Sequence, residues 1–102
     1  MRVTVMPALR SEASIGTEVP DLYLAQLCKQ FAPSTPATYS GTKGRAEFDF
    51  GHCIMRASNR YLTLVVEAED EQSLARMQHL IGLRLERCMW REKPVINWVR
   101  ST

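Results

Sequence analysis

The chain has no paired cysteines, no long apolar run and no excess of one charge, and each absence removes a class of function. Its three cysteines, Cys28, Cys53 and Cys88, are odd in number and far apart. Without a C-x-x-C pair they predict neither a disulfide scaffold nor a zinc ribbon, and the thiols are expected to be free. No apolar stretch approaches the ~18 residues of a membrane span, and Met1-Arg2-Val3-Thr4-Val5 is not followed by the apolar segment of a signal peptide. A cytoplasmic protein with no membrane contact is the expectation. A net charge of +2 supplies no concentrated basic stripe to neutralise a row of phosphates, so no nucleic-acid partner is expected either. What remains is an ordinary globular composition, and 102 residues are enough for one domain that buries roughly 60–70% of its unfolded surface.

The clearest pattern present runs from Asp70 to Trp98. Leu74, Met77, Ile81, Leu85 and Cys88 recur at spacings of three and four, which stacks them on one face of a long helix. Asp70 suits the N-cap, and Glu71 places negative charge near the free N–H groups of the first turn. Arg84, Arg87 and Arg91 suit the other end. Pro94 cannot continue the helix, so the chain is expected to leave as a strand over Val95-Ile96-Asn97-Trp98-Val99.

Upstream, residues 1–8 read as a tail or a short edge strand, and residues 9–102 as a single domain. Leu9, Ser11, Ala13 and Ile15 alternate with Arg10, Glu12 and Ser14, which predicts a half-buried strand. Thr17 is suited to cap a helix that starts near Pro20 and buries Leu24, Leu27, Cys28 and Phe31. Residues 33–44 hold two prolines and two glycines among polar residues and predict a mobile loop. From Arg45 to Glu67 the sequence predicts a three-stranded meander. A type II′ turn at Gly51-His52 pairs Phe50 with Cys53, Phe48 with Met55 and Ala46 with Ala57, and sets Glu47 opposite Arg56. Asn59-Arg60 makes the second turn, after which Leu62, Leu64, Val66 and Ala68 face inward. The fold class that follows is α+β: a two-layer sandwich in the order β-α-β-β-β-α-β, a mostly antiparallel sheet with two helices on one face.

Four residues are candidates for ligand binding: Glu86, Arg87 and Arg91 at the basic helix end, where Arg87 and Arg91 are neighbours at i and i+4 able to grip a carboxylate, and Lys43 in the loop. The competing assignment is a structural ion network in which Glu86 meets a strand arginine such as Arg10 or Arg56. His52, His79 and the cysteines do not converge at metal-ligand spacing, and Glu67, Glu69, Asp70 and Glu71 fit helix capping better than cation binding, so no metal and no cofactor are expected. No catalytic residue is identified, since no serine stands in a nucleophile elbow. The sheet face away from the helices should carry Ile54, Tyr61, Val65, Val95 and Val99, an apolar area for a homodimer or a protein partner, with a small ligand as the alternative occupant.

Three stretches resemble a known family: Tyr23-Leu24-Ala25-Gln26-Leu27-Cys28 with Phe31, then Phe48-Asp49-Phe50-Gly51, and then Leu85-Glu86-Arg87 with Arg91-Glu92 and Trp98. Together they are similar to the small bacterial family called domain of unknown function 2218. The family usually has His where Arg84 stands and an aromatic residue where Cys88 stands. It brings no established catalytic residues. Its members often lie beside genes for iron uptake and siderophore handling, so the resemblance implies an accessory role there. The combined expectation is a non-catalytic binding or adaptor module; the alternative is a small enzyme or a ligand or metal carrier using the basic end of the second helix.

Overall fold

The structure, a computed structural model, describes residues 9–101; the expectation for residues 1–8 lies outside them. The elements are β1 (Leu9–Gly16), α1 (Pro20–Phe31), β2 (Ala37–Ser40), β3 (Lys43–Phe48), β4 (Gly51–Ser58), β5 (Tyr61–Ala68), α2 (Glu71–Cys88) and β6 (Val99–Arg100). The strands form one antiparallel sheet in the order β2-β3-β4-β5-β1-β6. Both helices cover one face of it, so the α+β two-layer architecture is present, with one strand more than the pattern predicted.

The helices follow from their stripes. Leu24, Leu27, Cys28 and Phe31 of α1 are buried, as are Leu74, Met77, Ile81 and Leu85 of α2. They meet Ala13, Ile15, Met55, Leu62, Leu64 and Val66 from the sheet's inner face. Asp70 caps α2 as expected, its carboxylate accepting the Ser73 N–H at 2.7 Å. The start of α1 differs. Its N-cap position is Val19, while Thr17, two residues too early, accepts the Val19 N–H at 3.3 Å and donates to Glu92.

Three expectations about the sheet are corrected. First, the stretch 33–44 is not a plain loop: Ala37–Ser40 is an edge strand paired with β3, and the two are joined by a turn in which Gly41 takes φ 62°. Second, the β3–β4 turn falls at Asp49-Phe50, so that Phe48 pairs with Gly51, Ala46 with Cys53 and Gly44 with Met55. Glu47 consequently opposes His52 and not Arg56, which faces Lys43. The reason lies at Gly51, whose service is close approach and not turn geometry: a Cβ there would stand 2.5 Å from the Glu67 carbonyl oxygen and 3.0 Å from Met77. Ala46's partner moves from Ala57 to Cys53, an even slip, so the residues that stay in β3 and β4 keep their expected faces, while Phe50 moves into the turn and His52 into the sheet. Third, the last strand is only Val99–Arg100. Lys93 turns the chain with φ 48°, and Ile96 and Trp98 then pack half-buried against the core, which takes residues 94–98 past the helix instead of into the ladder. The Asn59-Arg60 turn forms as expected, with φ 50° and 72°, the pair of positive values a type I′ hairpin needs.

Candidate functional site

The register sorts the outer face of the sheet, opposite the helices, into rows of directly opposed residues. A central row runs Arg45, Ile54, Val65, Glu12, Val99. On one side lie Lys43, Arg56, Thr63 and Ser14; on the other, Glu47, His52, Glu67 and Arg10. This arrangement redistributes the residues expected to act. Lys43 belongs to the outer face, whereas Glu86, Arg87 and Arg91 belong to the helical layer, so the sheet separates them and the four form no common site. Glu86 and Arg87 are exposed and make no ion pair or hydrogen bond among the described residues. The expected pairing of Glu86 with Arg10 or Arg56 fails for the same reason: both arginines lie beyond the sheet. Arg91 rests its guanidinium 5.0 Å from the ring centre of Trp90.

The engaged carboxylate at that helix end is Glu92. It accepts from the Tyr23 hydroxyl at 2.6 Å and from Thr17 at 3.4 Å, fastening the end of α2 to the start of α1. The hydrogen bond to Glu92 and partial burial hold the Tyr23 phenol above its ordinary pKa.

The proposed interface is also revised. Val65 is only 1% exposed, a small side chain between the longer Ile54 and Glu12, and Val95 lies in the segment before β6, outside the sheet. Tyr61 and Val99 are exposed, and Ile54 is half-buried, but Glu12 interrupts the apolar run between Val65 and Val99. The three thiols are free. Burial raises the pKa of each, which disfavours the thiolate that metal binding or redox attack requires. Among the described residues no three His, Cys, Asp or Glu side chains are grouped as a metal site would need.

Two adjoining clefts open around the β3–β4 hairpin tip. The first, about 470 Å³, lies between the tip and the start of α2, with Glu47, Asp49, Glu67, Glu69 and Asp70 around His52. His52 Nε2 is 2.5 Å from the Glu67 carboxylate, and Arg10 approaches the other carboxylate oxygen at 3.9 Å. A carboxylate can orient an imidazole for proton transfer, yet no hydroxyl or thiol bonds to His52 among the described residues, so the pair lacks a nucleophile to activate. Asp70 is committed to capping, and its Ser73 N–H bond keeps its carboxyl below the ordinary value.

The second cleft, about 420 Å³, lies between the same tip, the end of α1 and the middle of α2. Three phenylalanines line it. Phe31 meets Phe48 edge to face with centroids 5.2 Å apart, and Phe48 meets Phe50 at 5.8 Å with a 41° tilt. Leu80 and Arg84 of α2 close the opposite wall. Arg84 is half-buried, its guanidinium 5.8 Å from the Phe31 ring centre, and no carboxylate lies within ion-pair distance of it among the described residues. One helical turn pair away, Arg76 covers Phe50 at 3.9 Å. From the sequence Phe31 and Phe48 are core residues and Arg84 is a favourable charge near the helix end; their convergence depends on the turn at Asp49-Phe50.

A six-stranded antiparallel sheet with a single layer of two helices defines the class, an α+β two-layer sandwich. Within that class the chain belongs to the family described as uncharacterised proteins conserved in bacteria, DUF2218, whose model matches residues 12–99. The fold is similar to that in the NMR structure of PA4090 from Pseudomonas aeruginosa: 26% identity, 89% of this chain and 95% of that one covered, TM-score 0.76. No curated protein matches the chain. No helix among the described residues is long and apolar enough to cross a membrane.

Proposed function

We propose that this protein is a non-catalytic binding module of the cytoplasm, and that the aromatic cleft between the β3–β4 tip, α1 and α2 is its ligand site. The observation that carries the reading is the gathering of three phenylalanines, two of them half-buried, along a concavity of about 420 Å³. Small-molecule sites are typically concave, mostly apolar and supplied with a few converging polar groups. The outer face has exposed apolar residues only singly, and the basic helix end offers exposed Glu86 and Arg87 that line neither of the two clefts and are in no ion pair among the described residues, so neither competes as a pocket for a small molecule.

The test is a fragment screen against the 15N-labelled chain. Binding should move the amides of Phe31, Phe48 and Phe50, and Phe48→Ser should abolish the response while the spectrum keeps its dispersion. Shifts confined to the Arg87 and Arg91 end, or to the outer face, would overturn this assignment in favour of the enzyme or carrier alternative or of a surface contact. An accessory place in iron or siderophore handling, implied by the family resemblance, is the setting we attach to this reading; unchanged growth of a deletion strain under iron limitation would remove it.

A second reading, association of two copies through the outer face, is favoured by the exposure of Tyr61 (53%) and Val99 (65%) and by the order of the rows. A twofold axis along the central row would bring the Lys43 and Arg56 row of one copy against the Glu47 and Glu67 row of the other.

A further inference from the structure

We infer that the aromatic cleft takes a small aromatic carboxylate, with the ligand ring against Phe48 and its carboxylate on the Arg84 guanidinium; this rests on the cleft being the ligand site. The charge preference follows from what already occupies the rings. Phenylalanine faces attract cations, but here the chain supplies both: Arg76 lies 3.9 Å from the centre of Phe50 and Arg84 5.8 Å from that of Phe31. A ligand cation would find those positions filled and would meet like charge. An anion would find Arg84 half-buried and free of any carboxylate within ion-pair distance among the described residues, with a planar fork that suits two carboxylate oxygens.

Orientation follows from the rim. Glu47 is held by an ion pair with Arg45, which leaves Asp49, exposed at the turn and in no ion pair among the described residues, as the remaining negative group on that side of the cleft. It repels a carboxylate from the hairpin end and favours the α2 wall where Arg84 stands. The ring preference follows from Phe48. Its neighbours meet it edge-on and tilted, the arrangements aromatic pairs prefer, and a ligand ring would extend that series. A volume of about 420 Å³ suits a ligand of one or two rings.

The experiment compares four probes by amide shifts of the full chain: benzoate, benzyl alcohol, acetate and benzylamine. Benzoate should bind most tightly, acetate and benzylamine at least tenfold more weakly, and Arg84→Gln should weaken benzoate about tenfold or more while leaving benzyl alcohol unchanged. Should benzyl alcohol match benzoate, or Arg84→Gln affect neither, the carboxylate assignment is wrong and the cleft remains a binding site for apolar rings. Tightest binding by benzylamine overturns the sign of the charge. Absence of shifts at Phe31, Phe48 and Phe50 with every probe overturns both the ligand class and the site. The Arg84→Gln spectrum should keep its dispersion, since the side chain belongs to the cleft wall and not to the buried stripe of α2, and that dispersion is the check that the variant is folded.

Discussion

Val65 shows how much one position in a sheet decides. Alternation assigns it to the outer face, and it is there, directly between Ile54 and Glu12. Yet at 1% exposure it behaves as a core residue. A carboxylate in that position would be desolvated between an isoleucine and another carboxylate, so Val65→Asp should cost about 3–5 kcal/mol. That is a large share of the stability of a small domain. A fall in the urea midpoint is the expected result; a variant as stable as the parent would show that the site is open to water. Asp70 contributes at the surface instead. Its carboxyl is held below its ordinary pKa, chiefly by the Ser73 backbone N–H. A group whose folded pKa is depressed stabilises the fold above its unfolded value and loses that contribution as pH falls through the folded one. Asp70→Ala should therefore melt below the parent at neutral pH, and the two melting curves should draw together as pH is lowered from about 4. A gap that persists unchanged in acid would assign the effect to something other than the charged cap.

At the scale of elements, Gly51 holds the hairpin against β5 and α2 together. Because a Cβ there would lie 2.5 Å from a backbone oxygen, which cannot rotate away as a side chain would, Gly51→Ala should destabilise the fold by about 1–3 kcal/mol or more and should shift the amides of Phe48 and Phe50. A neutral outcome would mean that the strands can part there without loss. The same glycine marks where the sequence misled. Gly-His resembles the start of a type II′ turn, and a turn there would take His52 out of the sheet, where it in fact pairs with Glu47 and Glu67. The neighbouring Asn59-Arg60 turn held the correction: it sets β4 against β5 and pairs position 52 with position 67, the partnership of His52 and Glu67. The two helices were legible because each buries one continuous stripe, and stripes survive errors of register. β2 was not, because an edge strand with one half-buried and three exposed residues has no apolar alternation to announce it; only its partner β3 gives it order. The aromatic cleft was hidden for a related reason. Phe31, Phe48 and Arg84 come from three elements, and no local pattern encodes their meeting.

For the molecule as a whole, the arrangement is asymmetric: helices on one face of the sheet, and opposed rows of polar and charged side chains across much of the other. The cleft needs only one chain, while the second reading needs two, so subunit number separates them. If copies associate through the outer face, Tyr61 lies among the exposed residues to be covered, and its size makes it a strong anchor. Native mass spectrometry at micromolar concentration should then give the mass of two chains, and Tyr61→Glu should return it to one without altering the melting temperature by more than a surface change does. A dimer that persists in Tyr61→Glu would move the contact elsewhere. A wild-type mass of one chain would remove the interface, and the cleft would stand as the proposed contact, one whose occupancy the same spectrum can read as an added mass that Phe48→Ser loses.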